Sequence, residues 1–199
     1  MKTAKSLISV LIICITLCLT ACFGGPPYEK DEKLYGTHTA VITIKDYGDI
    51  TIKLYGDIAP VTVANFVNLV KKGFYDGLTF HRAIDGYMIQ GGCPNGDGTG
   101  NSATRIYGEF NENGFKNKLS HKRGVISMAR SSDYNSASCQ FFIMLGDQKA
   151  LDGNYAAFGE VVEGMEILDQ VMLDIGKTGQ NGEVDTAKQP IIETIKMVE

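Results

Sequence analysis

Hydrophobic and polar positions alternate along residues 39–56, TAVITIKDYGDITIKLYG, so that Ala40, Ile42 and Ile44 share one face and Ile50, Ile52 and Leu54 another. With DYGD as the turn, this pattern predicts a hairpin with one buried side. The period then changes. In APVTVANFVNLVKKGF (59–74), Val63, Phe66, Val67 and Val70 recur at i, i+3, i+4 and i+7, with Pro60 near the start and Gly73 after two lysines. That predicts an amphipathic helix of about three turns. Short apolar runs follow, separated by glycine-rich loops: LTFHRA, GYMIQGG, RGVISMAR, CQFFIML and YAAFGEVV. GMEILDQVM (164–172) predicts a second short helix, residues 173–189 read as a polar loop, and PIIETIKMV (190–198) as a closing strand. The expected fold is mainly β: a closed eight-stranded antiparallel β-barrel capped by two α-helices.

The N-terminus has a different pattern. Lys2 and Lys5 precede SLISVLIICITLCL (6–19), which is short for a membrane span and ends in Leu19, Thr20, Ala21 and Cys22. A basic start, an apolar stretch and small residues describe an export signal, and the cysteine after them resembles the lipobox of bacterial lipoproteins. The resemblance implies cleavage before Cys22 and lipidation of its thiol, giving an extracytoplasmic protein lipid-anchored to the bacterial cell membrane. Three segments are therefore expected: a signal peptide (1–21), a lipidated flexible tether (22–36) whose FGGPPYEKDEKLYG lacks any hydrophobic period, and one folded domain (37–199).

Composition adds exclusions. With 44% hydrophobic and 21% charged residues the chain is globular, and a net charge of −4 gives no nucleic-acid surface. Losing the two signal lysines makes the mature chain more acidic still. Cys14 and Cys18 leave with the signal, so Cys93 and Cys139 remain, expected as free, partly buried thiols.

The chemistry centres on FHRAIDGYMIQGG (80–92). On a regular strand Phe80 and Arg82 share one face and His81 takes the other, which predicts His81 as a hydrogen-bonded structural residue. Further on, ASCQFFIML (137–145) places Gln140 and Phe142 on one face, opposite Phe141 and Ile143. With SMAR (127–130) and LDGNYAAFG (151–159), these segments resemble the cyclophilin-type peptidyl-prolyl cis-trans isomerases over roughly residues 38–199. The motif Y-x-x-L-x-FHR-x-I-x-x-Y-M-x-QGG is long and specific.

The resemblance implies that Arg82 is the catalytic arginine and that Gln90 and Gln140 orient the substrate backbone. It assigns Tyr87, Met88 and Phe142 to the proline pocket, with Phe80 beside them. Ala129 and Arg130 fall where the family contacts residues before proline, Leu151 and Tyr155 on the far wall, and Gly98, Thr99 and Gly100 on the loop edging the groove. The expected partners are proline-containing polypeptides, met as a monomer without metal or cofactor. Departures from the family pattern are Tyr87 for Phe, the small Ala83, Asn101 within a Gly-Gly, and Arg130 for the Asn of eukaryotic members. Ala150 stands where those members carry the tryptophan that binds cyclosporin, and RSSDYNSASC (130–139) is one residue longer.

An arginine among apolar side chains suits this chemistry. Rotation about X–Pro crosses a barrier of about 18–20 kcal/mol set by amide conjugation, and no bond breaks. A guanidinium aimed at the proline nitrogen favours the twisted, non-conjugated amide over either planar form. A binding or chaperone module with incidental activity is the alternative, but Arg82, Met88, Gln90, Gln140 and Phe142 are all retained. A serine hydrolase lacks a G-x-S-x-G frame. A metal site is weak, because His38, His81 and His121 lie at least forty residues apart and there is no C-x-x-C.

Overall fold

The computed structural model describes residues 31–198. The hairpin is present as β1 (Thr37–Ile44) and β2 (Gly48–Tyr55), paired in full register from Thr37↔Tyr55 to Ile44↔Gly48. All six aliphatic residues of its inward face are fully buried. Helix α1 (Pro60–Lys71) follows, then β3 (Thr79–Ile84), β4 (Met88–Cys93), β5 (Val125–Met128), β6 (Phe141–Met144) and β7 (Ala157–Glu163). Helix α2 (Met165–Ile175) and β8 (Ile192–Val198) complete the order. Among the described residues the eight strands form one antiparallel sheet in the order β3-β4-β6-β5-β7-β2-β1-β8.

The sheet curls until its edges meet. Thr79 bridges Ile191, Phe80 N donates to Pro190 O at 2.9 Å, and Ile192 N to Leu78 O at 2.7 Å. Further along β3, residues 182–184 take the place of β8, with Ala83 N donating to Gly182 O (2.7 Å) and Val184 N to His81 O (2.9 Å). The interior is aromatic at its centre: Phe66 of α1 lies 5.2–5.6 Å from Tyr75, Phe141 and Phe158.

Helix α1 has no capping side chain at Ala59. The carboxylate of Glu109 replaces it from 48 residues away, accepting from Val61 N (3.0 Å) and Thr62 N (2.8 Å). These are two of the amides a helix leaves without partners at its start. Burial pushes the Glu109 carboxyl above the usual range despite those hydrogen bonds.

Helix α2 runs past the expected 164–172. Leu168, Val171 and Ile175 form a buried i, i+3, i+7 stripe, so the last turn is held by packing although its neighbours are polar. The tether expected over 22–36 is docked from residue 31 onward. Asp31 accepts from Tyr107 N, Glu32 from Asn68 Nδ2 (2.7 Å), and Leu34 N donates to Pro60 O (3.0 Å). Polar and backbone bonds hold this stretch together with the single apolar contact of Leu34 on the core, and one apolar residue makes no hydrophobic period. The signal segment and Cys22 lie outside the described residues.

Candidate active site

The two faces of β4 and β6 separate core from site. Ile89, Phe141 and Ile143 point into the barrel, while Met88, Phe142 and Met144 form a second cluster on the outer face with Tyr87, Ala129, Leu151 and Tyr155. A cleft of about 130 Å3 opens there, bordered by Arg82, Tyr87, Met88, Gln90, Ala129, Arg130, Phe142, Leu151 and Tyr155. Pockets for drug-sized ligands run to several hundred Å3, so this one suits a single small ring. Larger clefts exist, about 430 Å3 beside α1 and about 450 Å3 beside α2. Neither contains these residues, and volume alone does not locate the chemistry.

Arg82 reaches the outer face through an irregularity. Phe80 pairs with Gly91 and Arg82 with Gln90, so two steps on β3 oppose one on β4. This β-bulge adds one residue and reverses the facing of the residues after it. The expectation that Phe80 and Arg82 share a face is therefore corrected: Phe80 is fully buried in the barrel core and does not border the cleft. His81 is corrected as well. It is buried, but neither ring nitrogen has a hydrogen-bond partner among the described residues. Burial holds its pKa below the ordinary value, with Asp97 opposing the shift and Arg82 adding to it.

The guanidinium is held from behind. Arg82 Nε donates to Asn181 O at 2.7 Å, and Nη1 approaches Gln90 Oε1 at 3.4 Å and Met88 Sδ at 3.9 Å. The nearby carboxylate of Glu183 is occupied by Asn181, through its backbone N (3.0 Å) and Nδ2 (2.9 Å). Asn181 thus takes the arginine with its carbonyl and the acid with its amides. Nothing in the polar stretch 173–189 marked Asn181 in advance, because its role needs the fold to bring it to β3.

A relay of amides continues from Gln90. Gln90 Nε2 donates to Gln140 Oε1 (2.9 Å), and Gln140 Nε2 donates to the carbonyls of Gly98 (2.9 Å) and Gly100 (2.8 Å). Gln140 spends both its protons on this loop, so it fixes Gln90 and the loop in place. Gly98, Thr99 and Gln140 belong to a second cavity of about 270 Å3 that shares Gln90, Ala129 and Arg130 with the cleft. Gly100 does not border either cavity and contributes through its carbonyl.

Phe142 is fixed on both sides. His121 stacks on it at 6.0 Å and 16°, and Tyr155 meets it edge-on at 5.7 Å and 87°. Behind it, His121 Nδ1 faces Asp152 Oδ1 and Nε2 faces Ser127 Oγ, both at 3.0 Å. The carboxylate can only accept, so Nδ1 carries the proton and Ser127 donates to Nε2. This has the connectivity of a Ser–His–Asp triad, which sequence reading did not single out. Ser127 is completely buried, however, and meets no substrate. The triad positions an aromatic ring.

Arg130 also differs from a simple substrate contact. Its guanidinium lies 4.8–5.0 Å from the centroids of Phe110, Tyr134 and Tyr155 and donates to Asn154 O (2.9 and 3.0 Å) and Ser131 O (2.9 Å). Such contacts attract a cation to each ring face. Tyr134 comes from the loop over 130–139, so that loop and Arg130 are coupled. Together they hold Tyr155 against the cleft.

The geometry therefore defines a small pocket on the outer face of a curled β-sheet, with Met88, Phe142 and Leu151 as its apolar wall and the guanidiniums of Arg82 and Arg130 at its border. The family model for cyclophilin type peptidyl-prolyl cis-trans isomerases matches residues 39–198. A peptidyl-prolyl cis-trans isomerase of Helicobacter pylori is 45% identical over 148 residues, covering 72% of this chain and 86% of that protein. Peptidyl-prolyl cis-trans isomerase B of Bacillus subtilis is 41% identical over 128 residues, covering 64% of this chain and 86% of that one. A crystal structure of a Cryptosporidium parvum cyclophilin, determined in the presence of the dipeptide Ala-Pro, superposes with a TM-score of 0.71 at 28% identity. It is covered to 99%, against 81% of this chain. The chain belongs to the cyclophilin-type peptidyl-prolyl cis-trans isomerases.

Proposed function

We propose that the protein accelerates cis–trans rotation of X–Pro bonds in polypeptides outside the cytoplasm, from a lipid anchor at Cys22. One observation carries the catalytic part. Among the described residues no carboxylate lies within ion-pair distance of Arg82, yet its guanidinium is fixed by Asn181 over a pocket sized for one ring. A positive charge with Glu183 acting on it only from beyond ion-pair distance, beside the rings and thioether of Phe142, Tyr87 and Met88, suits a reaction that generates a lone pair there. As the amide twists, the proline nitrogen loses conjugation and becomes an acceptor, and Arg82 donates to it. Tyr87, Met88, Phe142 and Leu151 hold the ring, while Gln90 holds the chain as the preceding carbonyl swings.

The anchoring and location rest on the LTAC sequence and the apolar stretch before it. Double or triple acylation would retain the protein on a membrane, where newly exported chains wait on X–Pro isomerisation. The test is relaxation of a cis-enriched Ala-Ala-Pro-Phe peptide. Acceleration by the purified chain supports the reading, and relaxation at the uncatalysed rate overturns it.

A further inference from the structure

The chain holds four arginines, and among the described residues only Arg123 has a carboxylate within ion-pair distance, Asp169 at 2.7 Å. The other three, Arg82, Arg105 and Arg130, border the twin cavity. In a chain of net charge −4 this gathers positive charge on linings that carry no Asp or Glu, with Glu183 acting on Arg82 alone and from outside both cavities. Arg82 has a catalytic use, and the Arg130 guanidinium is enclosed by three rings. Arg105 is exposed on the rim of the 270 Å3 cavity and has no use so far. The rest of that cavity is polar and uncharged, including Thr99, Asn101, Ser131 and Ser138. The carboxylate of that loop, Asp97, is committed to Thr99 N (2.8 Å) and Oγ (2.7 Å) and does not border the cavity.

We propose that this second cavity selects an acidic side chain two residues before the proline, with Arg105 as the specificity-determining group. The inference rests on the isomerase reading, with the substrate segment before proline lying along Ala129 and Arg130. A residue preceding proline is sterically confined to extended backbone. In an extended chain, side chains two apart point the same way, roughly 6–7 Å apart. With the ring in the smaller cleft, the side chain two positions earlier crosses the shared wall of Gln90, Ala129 and Arg130 and enters the second cavity. The residue between them points away. An Asp or Glu there meets Arg105 and the residual charge of Arg130 without any competing carboxylate.

The test uses the full chain, purified in detergent, with Xaa-Ala-Pro-Phe peptides in which Xaa is Ala, Asp or Lys. At low ionic strength Asp is expected to exceed Ala by roughly three- to fivefold in kcat/KM, the size of a partly exposed charge pair, with Lys below Ala. Arg105→Gln should bring the Asp-to-Ala ratio near one, Arg105→Glu should invert it, and added salt should flatten it. If the Ala peptide is not turned over at all, the isomerase reading fails. If it is turned over but Asp gains nothing, the subsite is overturned and the isomerase reading stands. A preference that survives in Arg105→Gln, or that appears only for an acid after the proline, also overturns the proposal.

Discussion

Replacing Arg82 by alanine separates its two kinds of interaction. In the ground state it makes one short hydrogen bond, Nε to Asn181 O at 2.7 Å, and a long one to Gln90 at 3.4 Å. Both are at a part-exposed site where water can replace them, so the net stabilisation lost is about 1 kcal/mol. For a domain of this size that is a fall of about 2–4 °C in Tm. On the proposed mechanism the same guanidinium donates, in the transition state, to a nitrogen that has just acquired its lone pair. Donors fixed in advance at developing charge contribute about 2.7–4 kcal/mol, so kcat/KM should drop roughly 100- to 1000-fold. Arg82→Lys should fall between. An ammonium at the end of a flexible stem cannot bond Asn181 O and present a second donor to the pocket in a fixed plane. The assay is relaxation of a cis-enriched proline peptide, followed by conformer-specific proteolysis or NMR exchange, with circular dichroism to confirm folding. A folded Arg82→Ala protein within threefold of the parent rate would refute the mechanism.

Glu109→Gln should destabilise the fold by about 1–3 kcal/mol, because the carboxamide cannot accept equally well from both helix amides and one is left unpartnered; chemical denaturation reads this, and an unchanged midpoint removes Glu109 as the cap. His121, pushed by burial below its ordinary 6.5 although Asp152 opposes the shift, binds fewer protons folded than unfolded. Its contribution is therefore complete above about pH 6.5 and lost as pH falls toward its folded pKa; Tm should drop between pH 7.5 and 5.5, and His121→Gln should reduce that slope, leaving the part due to His81. Glu109, shifted upward from its ordinary 4.5, acts in the opposite sense: it binds more protons folded than unfolded, so its contribution is complete below that value and is lost as pH rises through its folded pKa. Cys22→Ala should abolish incorporation of labelled fatty acid, and persistent labelling in the mutant would refute the lipid site. Ala150 is exposed in the turn that carries Leu151, so Ala150→Trp should tighten cyclosporin binding roughly 30- to 1000-fold, as for an aromatic interface anchor, with turnover little changed; tight binding by the parent would show that another residue makes the contact.

What could be read from the sequence was what local order determines. The alternation in β1 and β2, the four-residue spacing in α1 and the period of two in β6 each arise from neighbours a few positions apart. Of the long motif around Arg82 and of QFFI, Arg82, Tyr87, Met88, Gln90 and Phe142 border one cleft. Phe80 does not, because the bulge at His81 is set by how β3 must bend against β4, and a period of two carried across it gives the wrong face. The cap on α1, the docking of residues 31–36 and the hold of Asn181 on Arg82 all join positions far apart in the chain, 48, 36 and 99 residues respectively. They use polar atoms that look like ordinary solvated loop in a linear reading.

The same distinction explains why the departures from the family pattern are tolerable. Arg130 in place of Asn would bring an uncompensated charge beside an apolar cleft if it stood alone. The loop over 130–139 supplies Tyr134, Phe110 supplies a second ring, and Asn154 O with Ser131 O take the donors, so the charge is enclosed. Tyr155 then forms the boundary between that enclosure and the ring of Phe142. On the opposite side, the buried Asp152–His121–Ser127 chain holds Phe142 without exposing any nucleophile. A reaction that breaks no bond depends on a rigid pocket and one well-aimed donor. In this protein the sheet holds the cleft residues in register, Asn181 O holds the Arg82 guanidinium, and the proposed preference of the second cavity would lie with the loops that carry Arg105 and Arg130.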